Sequence, residues 1–359
     1  MQRPMQAQHR ITMVAAFVLL TTAACSDRTL PTNATPAPIA ASENSSNGPG
    51  PNSLVNYDSK DQAEYNTKWA NIYGPLELAA GGTRAQKQNG EFTISAVPFH
   101  VGADFSVFDH LKYIGVSTTS FPVPTTGSLE FSVRIAASTP GTVPGRVVHG
   151  CYGPAFSYLN VGDPCAHPWS ATAIEGQQAG VVLNMINFAT GQLFDWFVSD
   201  HEVFALVERL PSNVTNPALL PSDPGYVGLS KAYTQIIKSA PVPKGQAQDV
   251  AIRFSRSPGH SRVEYFLNGQ LFASVDNVGI PLDVQHVPFT GIYASYGTGE
   301  PLADQLNDFV IGHGLFSLLD AFPFQHPERP DLSVSVPMSE RLFGQGAVGT
   351  FKNFKVITR

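Results

Sequence analysis

Two charged side chains end an otherwise apolar segment of the sequence, VFALVERLP. A carboxylate and a guanidinium are costly at such a position unless they are paired or face a groove. In a groove, Glu208 would act as a general acid or base and Arg209 would bind an anion. The alternative is that either residue closes a salt bridge at the end of a strand.

A second segment, FSVFDHLKYI, also carries charged residues inside an apolar run. Side chains alternate between the two faces of a strand, so Asp109 is expected on one face and His110 and Lys112 on the other. A histidine beside acids is the usual group for proton transfer at neutral pH. The alternative is a histidine that is hydrogen-bonded for structural reasons.

These two segments define one predicted site. We expect Glu208 and at least one of Asp109 or His110 to lie on the same concave sheet surface, within reach of a common ligand. Tyr265 or Tyr293 is expected to join them. The predicted catalytic residues are Glu208, Asp109 and His110, and the predicted substrate-binding residues are Arg209, Lys112, Tyr265 and Tyr293.

The elements that would position this site are β-strands. The segment SLEFSVRIA (residues 128–136) alternates between apolar and polar side chains, which is typical of a half-buried strand. Similar segments recur between Gly, Pro, Asn and Asp residues, and only residues 61–72 and 302–309 are predicted as short helices. The sequence therefore predicts an all-β fold, an antiparallel β-sandwich. The other predicted strands are residues 91–97, 105–117, 179–188, 192–198, 203–210, 249–255, 262–275, 289–296 and 349–358.

The segment RVEYFLNGQLFASV (residues 262–275) predicts a β-hairpin. Asn268 and Gly269 at its centre tolerate the positive φ angles of a two-residue turn. This hairpin, the preceding strand DVAIRFS and the final run GTFKNFKVI resemble the late strands of concanavalin-like lectins and glucanases. The resemblance implies a concanavalin-like jelly roll whose last strand pairs back near the N-terminus.

Three further segments resemble an uncharacterised family of bacterial and fungal proteins of the same jelly-roll class. They are FDHLKY (residues 108–113), FDWFVSD…VFALVERLP (194–211) and GLFSLLDAFP (314–323). The resemblance covers most of residues 55–359. It implies the fold and transfers no activity.

Retaining glucanases of this fold carry acidic residues at alternate positions of one strand, E-x-D-x-x-E or E-x-D-x-E, which supply a nucleophile and an acid/base. The nearest segment is DWFVSDHE, in which Asp200 and Glu202 share a face and Asp195 does not. Its second half, Ser-Asp-His-Glu, is interpreted as a hairpin turn. The glucanase signature is therefore absent. The segment FTGIYASY (289–296) likewise lacks the Lys of the Y-F-K-x-G-x-Y strand of lyases of this fold.

The first 25 residues predict export. A basic start precedes a 14-residue, mostly apolar run (residues 11–24), which fits a signal peptide and is shorter than the about 20 residues that span a membrane. Small residues then precede Cys25, which resembles the cysteine of the bacterial lipobox, although Thr22 stands where a lipobox usually has Leu. We expect Cys25 to be lipidated, and the alternative is ordinary cleavage near Ala24.

Residues 26–53 are rich in Ser, Asn, Pro, Ala and Gly and predict a disordered linker. Residues 54–359 are expected to form a single β-sandwich domain, because no second linker or repeat interrupts them. With 14% charged residues, a net charge of −6 and no basic cluster, nucleic acid is not expected as a partner. We expect a monomer in the periplasm or at the cell surface, attached to the membrane only through its N-terminal lipid.

Apart from Cys25, the sequence has two cysteines, Cys151 and Cys165, an even pair for an oxidising compartment. A Gly- and Pro-bearing loop separates them. A disulfide that closes this loop would stabilise the fold by roughly 3 kcal/mol in the chain-entropy model. Metal binding and a nucleophilic thiol are the alternatives.

Together these features predict a carbohydrate-active protein, either a glycoside hydrolase or a polysaccharide lyase, that binds a glycan in a groove of the concave sheet. One alternative is a non-catalytic glycan-binding module, and another is an enzyme that acts on a non-sugar small molecule. No metal or cofactor motif is found in the sequence. No cofactor is expected apart from a structural calcium, which is common in this fold.

The lipid anchor is directly testable. Cys25→Ser is expected to release the protein from membranes, because the modified side chain is lost. Metabolic labelling with a fatty-acid analogue should mark the wild type and Cys151→Ser, which keeps the lipobox, but not Cys25→Ser. Unmodified, soluble wild-type protein would contradict lipidation.

The disulfide is tested by mass spectrometry of a non-reduced digest of the natively exported protein. A linked pair of peptides that contain Cys151 and Cys165 is expected. Two freely alkylatable thiols would show that the prediction is wrong.

Overall fold

The structure of the chain is a computed structural model that describes residues 52–73, 77, 80–86, 90–100, 111–152, 167–216, 218–288, 295, 297–320 and 334–359. The strands of these residues, in chain order, are β1 (Ser53–Asn56), β2 (Trp69–Tyr73), β3 (Thr83–Gln86), β4 (Phe92–Ala96), β5 (Leu111–Ser117), β6 (Phe121–Pro122), β7 (Gly127–Ser138), β8 (Val147–Tyr152), β9 (His167–Thr172), β10 (Gly180–Asn187), β11 (Gln192–Val198), β12 (Glu202–Arg209), β13 (Tyr233–Pro241), β14 (Gln248–Ser257), β15 (His260–Leu267), β16 (Gln270–Asp276), β17 (Asp308–Phe316), β18 (Val334–Ser335) and β19 (Ala347–Thr358).

Helices are short in the described residues. The α-helices are α1 (Gln62–Lys68), α2 (Glu175–Gln178), α3 (Ser212–Thr215) and α4 (Met338–Arg341), and two 3₁₀ turns cover Leu229–Lys231 and Leu318–Asp320. The side chain of Asp61 caps α1 by accepting a hydrogen bond from the amide of Glu64. None of the helices in this part of the chain is long and apolar enough to cross a bilayer.

The strands form two large antiparallel sheets. The first sheet has the order β16-β15-β14-β7-β19-β4-β3, with β1 beside β19. The second sheet has the order β13-β12-β11-β10-β17-β5-β2, with β6 beside β17, and β18-β8-β9 form a small third sheet. The predicted all-β fold, an antiparallel β-sandwich, is confirmed.

The main core lies between the two large sheets. Strand alternation directs one apolar set of side chains from each sheet into the core, including Ile252 and Phe254 of β14 and Phe194 and Trp196 of β11. The rings of Phe194 and Phe254 stack with their centroids 6.0 Å apart. The indole of Trp196 donates a hydrogen bond to the carbonyl of Ala251 across the core at 2.9 Å. The two sheets are therefore joined by both apolar and polar contacts.

The central strands β10 and β11 of the second sheet are buried on both faces. We call the face that points away from the first sheet the outer face. Every residue of β10 and β11 is buried, so the outer face is as dry as the core face. A second apolar cluster occupies the outer face, with members Val182, Ile186, Leu193, Phe197, Phe204, Leu206, Ile236, Val310 and Phe316. Any polar side chain on the outer face must consequently find a partner there.

The predicted hairpin is confirmed. β15 ends at Leu267 and β16 begins at Gln270, and Asn268 and Gly269 adopt φ angles of 50° and 79°. Both values lie in the left-handed region that a two-residue turn requires. β19 pairs with β1 from Ser53↔Thr358 to Asn56↔Lys355, so the last strand does pair near the start of the domain.

The predicted helix at residues 302–309 is wrong. A turn occupies the start of this segment, and β17 begins at Asp308. Phe309 pairs with Phe121 of β6 and Val310 with Ile186 of β10, so cross-strand hydrogen bonds determine the backbone there. The strand β13 was not predicted from the sequence, and its pairing with β12 is interrupted by an irregularity at Ala205/Leu206. Residues 105–110 and most of 289–296, both predicted strands, lie outside the described residues.

Candidate functional site

A pair of acidic side chains lies on the outer face of the second sheet. Asp195 is on β11 and Glu208 is on the neighbouring β12, where Asp195 pairs with Leu206 and Glu208 with Leu193. The two acids are therefore diagonal neighbours on one face, and their side chains hydrogen-bond each other. Asp195 is 1% exposed and Glu208 is 6% exposed. We call these two residues the carboxyl pair.

Two neutral polar side chains complete the site. Asn184 of β10 donates a hydrogen bond from Nδ2 to Oδ1 of Asp195 at 2.5 Å, and Thr234 of β13 donates from Oγ1 to Oε1 of Glu208 at 2.8 Å. Asn184 stands opposite Asp195 in the ladder, and Thr234 stands opposite Glu208. Four adjacent strands thus supply one polar side chain each. They form a continuous hydrogen-bonded row inside an otherwise apolar layer.

The environment of the carboxyl pair favours its protonated form. Burial raises the pKa of Asp195 well above its usual value, and the neighbouring charge of Glu208 raises it further. Burial also raises the pKa of Glu208 to about 7, against the opposing effect of hydrogen bonds from Thr234 and Asp195. These shifts favour a carboxyl pair that still holds a proton at neutral pH. A general acid or base is most effective with a pKa near the working pH.

The close contact limits what the carboxyl pair can do. Retaining glycosidases separate their two carboxyl groups by about 5–5.5 Å and inverting ones by about 6.5–9.5 Å. Side chains that hydrogen-bond each other are closer than either spacing. The carboxyl pair is consequently arranged to share one proton, and it can act as one donor and acceptor rather than as two separately placed catalytic groups.

Glu208 and Arg209 do not point into the same site. Arg209 stands opposite Gln192 of β11 and Tyr233 of β13, positions that point away from the outer face. Its Nε donates to the carbonyl of Thr190 at 3.0 Å, and its Nη2 is ion-paired with Glu300. Arg209 therefore forms the strand-end salt bridge that the sequence allowed as the alternative to a substrate-binding role.

Glu300 in turn holds a second cation. Its Oε2 lies 2.8 Å from Nζ of Lys231, so one carboxylate joins two basic side chains. Hydrogen bonds from Lys231 and Arg209 lower the pKa of Glu300 against the opposing effect of burial. Glu300 therefore neutralises the charge of Arg209 at a position that points away from the carboxyl pair.

The other predicted substrate-binding residues are separated from the carboxyl pair or lie outside the described residues. Tyr265 is fully buried between the two sheets, and its hydroxyl donates to the carbonyl of Leu206 at 2.6 Å. Lys112 is also fully buried, with Nζ 5.4 Å from the centre of the Phe99 ring. Neither side chain joins the carboxyl pair, and their binding of a substrate stays a prediction.

Several predicted residues cannot be placed. Asp109, His110 and Tyr293 lie outside the described residues, so their expected grouping with Glu208 stays a prediction. Cys25 and Cys165 also lie outside them, whereas Cys151 is buried in β8. Among the described residues, no group of three or more His, Cys, Asp or Glu side chains is arranged to hold a metal ion. The structural calcium likewise stays a prediction.

Asp195, Asn184 and Thr234 were not predicted from the sequence as members of one site. Asp195 was weighed only against the glucanase spacing. A signal was present, because a single polar residue interrupts each of the apolar runs VVLNMI and LFDWFV. A buried polar residue in such a run needs a partner, and the neighbouring strand is the natural place to find it. The sequence does not contain the register that makes Asn184 and Asp195 neighbours.

The raised pKa values predict a pH-dependent stability. A carboxyl group whose pKa is higher in the folded than in the unfolded chain stabilises the fold below the unfolded pKa, and this stabilisation is lost as the pH rises through the folded value. The free energy of unfolding should therefore fall between about pH 4.5 and pH 8, by roughly 3 kcal/mol from Glu208 alone. Urea unfolding at pH 5 and pH 8 measures this change.

Asp195→Asn tests the origin of that fall. An asparagine can keep both contacts of protonated Asp195, since its carbonyl accepts from Asn184 and its amide donates to Glu208. The variant should fold and should lose less stability than the wild type between pH 5 and pH 8. Asp304→Asn, in an exposed turn, is the matched control and should behave as the wild type does. A wild-type stability that does not decrease with pH would contradict the protonated pair.

Comparisons with solved structures show proteins that are similar in fold. An endo-1,3-β-glucanase from Streptomyces sioyaensis is 11% identical, with a TM-score of 0.40 over 88% of this chain and 99% of that one. A β-agarase B from Zobellia galactanivorans is 12% identical, with a TM-score of 0.36 over 85% and 91%. A carbohydrate-binding module from Bacillus subtilis is 10% identical, with a TM-score of 0.28 over 80% and 95%. Similarities this low carry no argument about activity.

Sequence comparisons point to a family without an assigned activity. No curated protein matches the chain. A family model matches residues 161–359, which is more than half of the sequence and includes the whole row from Asn184 to Thr234. The chain belongs to this family, a family of unknown function (DUF6081).

Proposed function

We propose that this protein is an exported carbohydrate-active protein in which Asp195 and Glu208 are the acid/base group. The observation that carries the proposal is the carboxyl pair itself, two hydrogen-bonded acids with raised pKa values on one face of a sheet. Structural carboxylates are usually paired with cations, as Glu300 is with Arg209. The carboxyl pair has neutral donors instead, which keeps a transferable proton in the site.

A shared proton suits both reaction classes that the sequence left open. Glycoside hydrolysis needs a group that protonates the leaving oxygen, and polysaccharide elimination needs a group that removes a proton from a sugar carbon. Protonated Asp195 can do the first, and ionised Glu208 can do the second. The close contact of the two acids further implies that any nucleophile or second catalytic group comes from another residue.

The chemistry around the carboxyl pair favours a sugar as the ligand. Its hydrogen-bonding neighbours are the amide of Asn184 and the hydroxyl of Thr234, which suit hydroxyl groups. The low overall charge of the chain also suits a neutral ligand. Export through the N-terminal signal sequence and anchoring through Cys25 would place the site outside the cytoplasm, where polysaccharides are available.

A second candidate is a non-catalytic glycan-binding module. The low exposure of Asp195 and Glu208 favours this alternative, because both acids are already satisfied within the sheet. In that case the carboxyl pair would determine the pH dependence of stability, and a glycan would bind elsewhere.

A panel of polysaccharides distinguishes the two candidates. Purified protein should release reducing ends or unsaturated products from at least one member. Asp195→Asn and Glu208→Gln should each lower the rate about 100-fold or more, the usual contribution of a general acid or base, without lowering the melting temperature at pH 7. Asp304→Asn again serves as the control.

Each outcome of these measurements favours one of the candidate functions. Binding without cleavage would support the module and contradict the enzyme. Wild-type rates in both Asp195→Asn and Glu208→Gln would show that the carboxyl pair is not the acid/base group. Activity only on a non-sugar substrate would replace the carbohydrate proposal with the small-molecule alternative.

A further inference from the structure

The two neutral neighbours of the carboxyl pair differ in how they can respond to a proton. Asn184 contacts Oδ1 of Asp195 through Nδ2 at 2.5 Å, and an amide nitrogen can only donate. Thr234 contacts Oε1 of Glu208 through its hydroxyl at 2.8 Å, and a hydroxyl can donate or accept. The contact of Thr234 with Glu208 can therefore exist with or without a proton on Oε1, whereas the contact of Asn184 needs a bare oxygen.

The hydroxyl of Thr234 is able to change between its two roles. Thr234 is buried directly opposite Glu208, and in the described part of the chain its hydroxyl makes one hydrogen bond, to that residue. The buried hydroxyl of Thr190 is fixed by comparison, because it donates to Oδ1 of Asn187 and accepts from the amide of Gln192. A hydroxyl with one partner can rotate to follow the charge of that partner.

Asp195 is the titratable group that contacts the carboxyl of Glu208 within the described residues. Lys112 is on β5, and β11, β10 and β17 lie between that strand and β12. The charged or titratable side chains on β12, β13 and α2, and Tyr265 from the facing sheet, have other partners. They are Glu202 (amide of Glu175), Arg209 (Glu300), Tyr233 (Gln192), Lys238 (carbonyl of Phe272), Glu175 (His201) and Tyr265 (carbonyl of Leu206). Asp195 and Thr234 are therefore the two side chains that act directly on the charge of Glu208.

We propose that Thr234 is a positioning residue that sets the working pH of the carboxyl pair. Its hydroxyl accepts a hydrogen bond from protonated Glu208 and donates one to ionised Glu208. Because Asn184 donates to Asp195 at any pH, the hydroxyl of Thr234 is the contact that reverses when Glu208 loses its proton. This inference rests on the proposed function, since it describes how the base of that site becomes ionised.

Thr234→Val tests the proposal without a substrate. The valine keeps the branched shape of the side chain but removes a donor to ionised Glu208, so the pKa of Glu208 should rise. A stabilisation that comes from a raised carboxyl pKa is lost as the pH rises through the folded value. The midpoint of the fall in unfolding free energy should therefore move upward by about one to two pH units, the value of a hydrogen bond to a charged group. Urea unfolding of the full-length protein across this pH range measures the midpoint.

Two further variants control for structural effects. Thr234→Ser keeps the hydroxyl and should keep the wild-type midpoint. Thr350→Val is the matched control, because it removes a buried-strand hydroxyl that contacts Thr93 on the first sheet at 2.9 Å, and it should not move the midpoint. If Thr234→Val does not fold, Thr234→Ala takes its place and should move the midpoint in the same direction. A wild-type midpoint in a folded variant that lacks the hydroxyl overturns the proposal, and so does a Thr234→Ser midpoint that moves as far as that of Thr234→Val.

The pH dependence of cleavage separates this inference from the proposed function. On a polysaccharide that the wild type cleaves, the acidic limb of the rate profile should move upward in Thr234→Val together with the stability midpoint, so that the rate on this limb falls about tenfold or more. The rate at the alkaline plateau should change much less. If the midpoint moves but no polysaccharide is cleaved, the role of Thr234 stands and the acid/base function fails. If Glu208→Gln abolishes cleavage but Thr234→Val leaves the midpoint and the acidic limb unchanged, the function stands and the role of Thr234 fails.

Discussion

The second sheet lies between two apolar layers, and this constraint governs the rest of the structure. One face packs against the first sheet and the other carries its own apolar cluster, so neither face of the central strands offers water to a polar side chain. A buried polar group without a partner costs more than a hydrogen bond returns. Each polar residue in these strands must therefore be satisfied by another strand, which links the chemistry of the site to the pairing of the sheet.

The sheet satisfies this constraint in two different ways. At its centre, Asp195 and Glu208 share a proton and take hydrogen bonds from neutral neighbours, because two adjacent carboxylates cannot both ionise in a dry layer. Arg209 keeps its charge and is neutralised by Glu300, which also pairs with Lys231. Glu208 and Arg209 are consecutive in sequence, yet strand alternation gives one a proton-transfer environment and the other a structural ion pair.

Much of the fold follows from local patterns. The strand β7 with its alternating apolar residues, the Asn268–Gly269 turn and the final strand β19 were all predictable, since each depends on residues that are close in sequence. The segment 302–309 was not, because its pairing with strands distant in sequence overrides the local helical pattern. The polar residues Asn184 and Asp195, which interrupt β10 and β11, were visible in the sequence, but their contact with each other was not.

By itself, the sequence determined an antiparallel β-sandwich and identified Glu208 as an acidic residue at the end of an apolar strand. Only the tertiary structure decided that its partners are Asp195 and Thr234, and that Asn184 lies beside them. These residues come from four strands, and their contacts depend on strand order and register. The physical reason is that alternation tells which residues share a face of one strand, whereas the partner across the sheet is set by long-range pairing that no local pattern encodes.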